Sequence, residues 1–259
     1  MLGVVNVTPD SFSDGGVNYE PANAVASARR MHAEGAALVD VGGESTRPGA
    51  EAVSADEELR RVVPVLEALR DEVPVSIDTS KAVVARRALE LGATLVNDVT
   101  ALRGDPGLAA VVAESDTYLC LMHMQGEPRT MQADPRYDDV VSEVAAFLEQ
   151  RLGAAVAAGI AEERICLDPG IGFGKTVEHN FELIRRLGEL TSLGRPIVVG
   201  ISRKSSLGKL LGDPAATTGS VAASVGAAVA AYERGATILR VHDVREHVEA
   251  LAAARAVLA

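Results

Sequence analysis

Aromatic residues are scarce in this chain of 259 residues: they make up 3%, and tryptophan is absent. Stacking platforms for single-stranded nucleic acid need such rings, so that class of binder is disfavoured. Positive charge is also in short supply, with 25 Lys and Arg against 36 Asp and Glu and a net charge of −11. A chain of that balance is a poor phosphate-backbone binder, although a local basic site remains open. There are only two cysteines, Cys120 and Cys166, each inside an apolar run, which reads as two buried thiols in a reducing compartment. No apolar stretch reaches the length of a membrane span. The N-terminus lacks a charged region followed by an apolar core. A cytoplasmic soluble protein, without nucleic acid or membrane partners, is the expectation.

What the chain does have is alternation. Apolar runs of strand length fall at residues 2–7, 37–42, 74–78, 94–99, 117–122, 164–168, 196–201 and 237–241. Between them lie stretches rich in Ala, Leu, Glu and Arg with helical character, at 22–34, 55–70, 81–91, 106–114, 138–158, 177–190, 220–234 and 245–258. Gly35, Gly92, Gly159 and Gly235 each stand just before a strand, where a helix ends cheaply in the left-handed conformation. Eight such units with near-continuous apolar strands predict a single (β/α)8 TIM barrel over residues 1–259. A doubly wound open sheet is the alternative. The first strand begins almost at Met1, leaving little room for a segment that plugs the barrel bottom.

One stretch imitates a phosphate loop. Residues 168–176 read DPGIGFGKT, ending in Gly-Lys-Thr after an apolar run. The template needs Gly where Pro169 stands, and Pro has no N–H to give a phosphate. Asp168 before it would repel one. An acid at the end of that strand needs a different ligand.

In a (β/α)8 barrel the site is built where strands end. Those positions carry Asn6, Asp40, Asp78, Asn97 with Asp98, Met122 with His123, Asp168, Ser202 to Lys204, and Arg240 with His242 and Asp243. Glu44, Thr46 and Arg47 follow strand 2. Each has a plainer alternative. Asp78-Thr79-Ser80 could cap a helix, His123 fits a structural role better than a catalytic base, and Glu44 and Asp40 could orient Arg47 or backbone amides. As a set they divide by charge. Asp78, Asn97 and Asp168 form an acceptor-rich half, suited to a flat heterocycle whose edge donates two N–H groups to one carboxylate. Lys204, Arg240 and His242 form a cationic half, suited to a phosphate or pyrophosphate.

The segments NVTPDSFSDGG, ESTRPGA, SIDTS, VNDV, LDPGIGFGKT, ISRKS and RVHDV, in this order, together resemble the dihydropteroate synthase family. The resemblance runs from Val4 to Val244. It implies a (β/α)8 barrel that joins 6-hydroxymethyl-7,8-dihydropterin pyrophosphate to p-aminobenzoate, giving 7,8-dihydropteroate and pyrophosphate in the folate pathway. It implies that Asp78, Asn97 and Asp168 bind the pterin, with Lys204 on its carbonyl side, and Met122 is expected among the substrate-binding residues. Asn6, Arg240 and His242 are expected at the pyrophosphate, Asn6 also as a Mg²⁺ ligand. Lys204, Arg240, His242 and Asp168 are expected to carry catalysis. Phe12, Thr46, Arg47 and Pro48 would belong to a mobile lid, and Phe173, Lys204 and Ser205 would wall the p-aminobenzoate pocket. The family also implies a homodimer and sensitivity to sulfonamides, which imitate p-aminobenzoate. The chain departs from the family pattern at Ser206, where a large apolar residue is usual. A methyl-transferring pterin barrel would share the acids but has less need of the cations, and a non-catalytic binding barrel would not need the whole set.

Overall fold

The computed structural model describes residues 1–9, 17–47 and 49–258. Phe12 and Pro48 lie outside these. Eight parallel strands, β1 (Leu2–Asn6), β2 (Leu38–Gly42), β3 (Val75–Asp78), β4 (Leu95–Asp98), β5 (Tyr118–Met122), β6 (Ile165–Asp168), β7 (Ile197–Val199) and β8 (Ala236–Val241), follow one another around a closed barrel. β8 returns to β1 with Arg240 level with Leu2 and Val241 with Gly3. The expected TIM barrel is present.

Ten helices follow among the described residues: α1 (Pro21–Ala33), α2 (Ala55–Leu69), α3 (Ala82–Glu90), α4 (Leu108–Ala113), α5 (Val140–Ala157), α6 (Val177–Arg185), α7 (Leu187–Leu190), α8 (Ser205–Leu210), α9 (Val221–Glu233) and α10 (Val244–Leu258). Ser54, Asp139 and Ser220 cap α2, α5 and α9, and Thr176 closes a reciprocal capping box with His179 at the start of α6. Gly35, Gly92, Gly159 and Gly235 all have φ between 95° and 107°, as their places after helices require. The single helix expected over 177–190 breaks at Arg186, whose φ of −105° and ψ of 20° leave the helical region. α8 was not expected, because six residues are too few to show a period.

Side chains alternate across each strand, so residues two apart point the same way. Leu2, Leu95, Cys120, Cys166 and Val198 form one buried cluster with Leu38 and Ile238 packed against it. Two residues further along the same strands come Asp40, Asn97, Met122, Asp168 and Arg240. The apolar layer therefore closes the lower barrel, and the next layer carries the polar residues Asp40, Asn97, Asp168 and Arg240 beside Val4, Met122 and Gly200. Cys120 and Cys166 are register partners on β5 and β6, both buried and free of disulfides, as expected. The larger core fills the space between strands and helices, with Leu66, Leu69, Ile77, Leu119, Leu148 and Leu183 fully buried. Burial of each such side chain stabilises the fold by roughly 1.5–3 kcal/mol.

Candidate active site

A cavity of about 570 Å³ opens at the C-terminal ends of the strands. Asn6, Thr46, Arg47, Asp78, Phe173, Lys204, Ser205, Arg240 and His242 line it, drawn from the ends of β1, β3 and β8 and the loops after β2, β6 and β7. These residues stand far apart in sequence, and the barrel brings them to one rim. Asn97, Asp168 and Met122 are buried but do not line the cavity. Met122 packs with Val99, Met124, Met131 and Phe173 in an apolar cluster.

Beneath the cavity runs a polar network. Arg240 donates from Nε to Asp40 and from Nη2 to Asp78, both at 2.7 Å. Asp40 also accepts from Ser76 at 2.6 Å and from the Asn97 amide at 3.1 Å. Asp40 is thus fully engaged inside the barrel and does not orient Arg47, which corrects one sequence expectation. Glu44 does not either: it pairs with Lys81 at 2.7 Å and accepts the Val53 N–H. Arg47 instead donates to Ser45 at 3.0 Å. Asp78 is no helix cap. The first N–H of α3, from Ala82, goes to Asp105, while Thr79 accepts from Lys81.

Burial pushes the Asp78 carboxyl up, the Arg240 charge pulls it back, and the Asp40 carboxylate adds to the rise. Burial works against the Arg240 charge, but Asp40 and Asp78 hold its pKa above the ordinary value. Burial and the Arg240 charge lower Lys204 to about 8. Its Nζ lies 4.3 Å from the centre of the Phe173 ring, a cation–π contact that favours the charged form.

His242 departs from expectation. Burial, then Arg240, Arg203 and Lys204, hold its pKa down to about 3, so at neutral pH it is not a cation. Ser202 Oγ is 3.1 Å from the His242 backbone N–H and 3.2 Å from its Nδ1. In the tautomer where this hydroxyl accepts from the former and donates to the latter, the ring proton sits on Nε2. His242 is a neutral N–H donor, and the cationic half rests on Lys204 and Arg240. Arg203, next to Lys204, does not supplement them, because its guanidinium is held by Asp243 at 2.5 and 2.9 Å.

The loop after β6 settles the phosphate-loop question. Asp168 Oδ1 accepts the Gly170 N–H at 2.7 Å. Gly170 and Gly174 have φ of 67° and 62°, and a Cβ on them would meet the carbonyl oxygens of His123 and Gln125 at 1.9 and 2.4 Å. The glycines let this loop press on the one after β5. Lys175, the lysine of Gly-Lys-Thr, points inward: it is 3% exposed, with Nζ beside His123, Gly170 and Phe173. The sequence reading missed it, as it missed the central place of Asp40. His123 is structural, as expected; burial and the Lys175 charge hold its pKa down to about 2.

A family model described as pterin binding enzyme matches residues 2–242. Dihydropteroate synthase of Escherichia coli K12 is 48% identical over 262 residues, spanning 100% of this chain and 91% of that protein. The structure of Yersinia pestis dihydropteroate synthase with a sulfonamide drug complex superposes with a TM-score of 0.94 at 47% identity, over 99% of this chain and 93% of that one. That of Burkholderia cenocepacia dihydropteroate synthase complexed with 7,8-dihydropteroate gives 0.86 at 49% identity, over 99% and 90%. The chain belongs to the pterin-binding enzymes, in the dihydropteroate synthase family. The enzymes of this family are transferases of folate biosynthesis.

Proposed function

We infer that the chain joins 6-hydroxymethyl-7,8-dihydropterin pyrophosphate to p-aminobenzoate, releasing pyrophosphate. The observation that carries this is a cavity whose walls hold a part-buried carboxylate, Asp78, against two part-buried cations, Lys204 and Arg240. The pterin edge is assigned to Asp168, Asn97 and Asp78, with Met122 behind it. Asp168 and Asn97 are buried, so wall side chains must move for the pterin to reach them. The pyrophosphate is assigned to Arg240 and the Nε2–H of His242, and the p-aminobenzoate to Phe173, Lys204 and Ser205. The residues do three things. Lys204 and Arg240 stabilise charge on the departing pyrophosphate, the cavity positions the amine, and the loops exclude water. No strong base is needed, since an aniline nitrogen is an unprotonated nucleophile at neutral pH. Release of pyrophosphate on mixing the two substrates with the purified protein tests the reading; none on mixing sinks it. The same measurement separates it from a methyl-transferring or non-catalytic pterin barrel. The homodimer is carried forward on the resemblance alone.

The residues at hand fit Mg²⁺ arriving with the substrate. Asn6 ends β1 on the cavity wall and offers one neutral oxygen, while among the described residues no cluster of three His, Cys, Asp or Glu is placed to hold an ion. A hard cation that takes its other ligands from pyrophosphate and water suits one amide oxygen. When bound it would neutralise charge on the leaving group. Turnover should accordingly disappear in excess chelator and return with added Mg²⁺; full activity in chelator removes the metal from the proposal.

Arg47→Ala should spare pterin pyrophosphate binding and harm use of p-aminobenzoate. Arg47 lines the cavity from the loop after β2, outside the barrel wall. The expected result is a higher KM for p-aminobenzoate, a lower kcat, weaker sulfonamide inhibition and little change in melting temperature, because neither Glu44 nor Asp40 depends on it. Steady-state kinetics beside calorimetry for the pterin substrate decides. An equal loss in both substrates takes Arg47 out of the lid.

A further inference from the structure

Lys175 has no role in the reading above, yet few side chains are so completely enclosed by polar partners. Its Nζ lies 2.8 Å from His123 Nδ1, 3.0 Å from the Gly170 carbonyl and 3.0 Å from the Phe173 carbonyl. The two carbonyls take two N–H donors, and a charged Lys175 gives the third to His123 Nδ1, whose neutral ring then carries its proton on Nε2. Burial lowers the Lys175 pKa to about 7, and the Asp168 carboxylate works against that fall.

We propose that Lys175 is a positioning residue for the pterin half of the site, pinning the Gly170–Phe173 turn and holding the Asp168 carboxylate in its charged form. The inference rests on the functional reading above. The first link is mechanical. Gly170 gives its N–H to Asp168 Oδ1 and its carbonyl to Lys175, so one peptide segment joins the two side chains. Phe173 gives its carbonyl to Lys175 while its ring lies under Lys204. Contact between the turn and the His123 carbonyl, where a Cβ on Gly170 would lie at 1.9 Å, leaves no room for the turn to relax in that direction. The second link is electrostatic. Burial raises the Asp168 pKa, and four features oppose it: the Gly170 N–H, Arg240 from β8, Lys204 from the loop after β7, and Lys175 from its own loop. From the β5 side the His123 backbone N–H donates to the Asp168 carbonyl at 2.9 Å, and the His123 ring, held neutral by burial, Lys175 and Arg103, adds no charge. Lys175 is therefore one of three cations that favour the ionised acid, and an un-ionised acid presents an O–H where the heterocycle edge needs an acceptor.

Lys175→Gln and Lys175→Met separate the two links, since Gln keeps a donor for a carbonyl and neither keeps the charge. In both variants the acid limb of kcat/KM for the pterin substrate should move up by roughly one pH unit. The KM for that substrate should rise about tenfold at pH 6, with the KM for p-aminobenzoate within twofold of wild type. Lys175→Gln should lose less thermal stability than Lys175→Met. An acid limb at the wild-type pH in a folded Lys175→Gln overturns the proposal, as does an equal rise in both KM values. If neither variant folds, calorimetry of the unphosphorylated hydroxymethyl-dihydropterin on the wild-type protein decides. Affinity flat from pH 5.5 to pH 6.5, where Lys175 keeps its charge, supports the charged Asp168, and affinity climbing with pH across that range overturns it. Binding of this probe needs no turnover, so a wild-type protein that releases no pyrophosphate fails the functional reading without deciding the role of Lys175.

Discussion

Arg240→Met should lower turnover by about 10²–10³-fold and the melting temperature by ~6–20 °C. The side chain bridges Asp40 and Asp78 at 2.7 Å each, and Asp40 has no exposed surface. Removing one partner of a buried ion pair costs about 3–5 kcal/mol, because the other is left uncompensated. Here two carboxylates lose their shared cation, and Asn97 and Ser76 remain bonded to one of them. The loss should depend on pH with a definite sign. Without Arg240 the Asp78 carboxyl, already raised by burial, rises further. A carboxyl whose folded pKa lies above its unfolded value favours the folded state at low pH and disfavours it as pH climbs through that window. The deficit against wild type should therefore be larger at pH 8 than at pH 5. Activity falls for a separate reason, since a cation aimed at the leaving group contributes on the order of 10²–10³ in rate. Melting curves at the two pH values and pyrophosphate release at pH 7.5 check both. A variant as stable as wild type at pH 8 contradicts the reading of this network as a clamped pair of carboxylates.

The barrel was legible because its signals are local and repeated. Each strand is a short apolar run, most long helices are bounded by a cap or a Gly, and the positions of Gly35, Gly92, Gly159 and Gly235 came out as their places demanded. The rim was legible for the same reason: once strands are placed, their last polar residues must share one end. What stayed hidden depends on partners far apart in the chain. Nothing in VDVGG marks Asp40 as the hub that Ser76, Asn97 and Arg240 converge on, up to 200 residues away. Nothing in GFGKT says that its lysine turns inward, because the acceptors that draw it in include His123 on another loop. The charge of His242 could not be read from its neighbours in sequence either. RVHDV places Arg240 on one side of it and an acid on the other, but the fold buries the ring and adds Arg203 and Lys204, and the ring stays neutral. Ser206, the departure from the family pattern, is buried and lines the cavity, and its hydroxyl has no hydrogen-bond partner among the described residues.

Asp168→Asn should cost about one to two decades in affinity for the pterin substrate while leaving the fold as stable or more so. The binding loss follows from what an amide can offer. In the native site one carboxylate oxygen takes the Gly170 N–H, and the other is assigned to the heterocycle. An Asn that keeps the Gly170 bond turns its NH₂ toward the ligand, where donor meets donor. A hydrogen bond to a charged group is worth roughly 1.5–3 kcal/mol, which sets the size. Stability moves the other way. Burial raises the Asp168 pKa, so the carboxylate weakens the fold as pH rises from the ordinary carboxylate range toward the raised value. Asn carries no such penalty and keeps the Gly170 contact. Its melting temperature should equal or exceed that of wild type at pH 7, and the difference should shrink on acidification, when wild-type Asp168 is itself neutral. Calorimetry with the pterin substrate and melting curves at pH 4 and pH 7 give both quantities on one preparation. Wild-type affinity in the variant removes Asp168 from the pterin site. A variant that melts well below wild type at pH 7 shows that the carboxylate holds the β6 loop together, and that any binding loss is a consequence of its collapse.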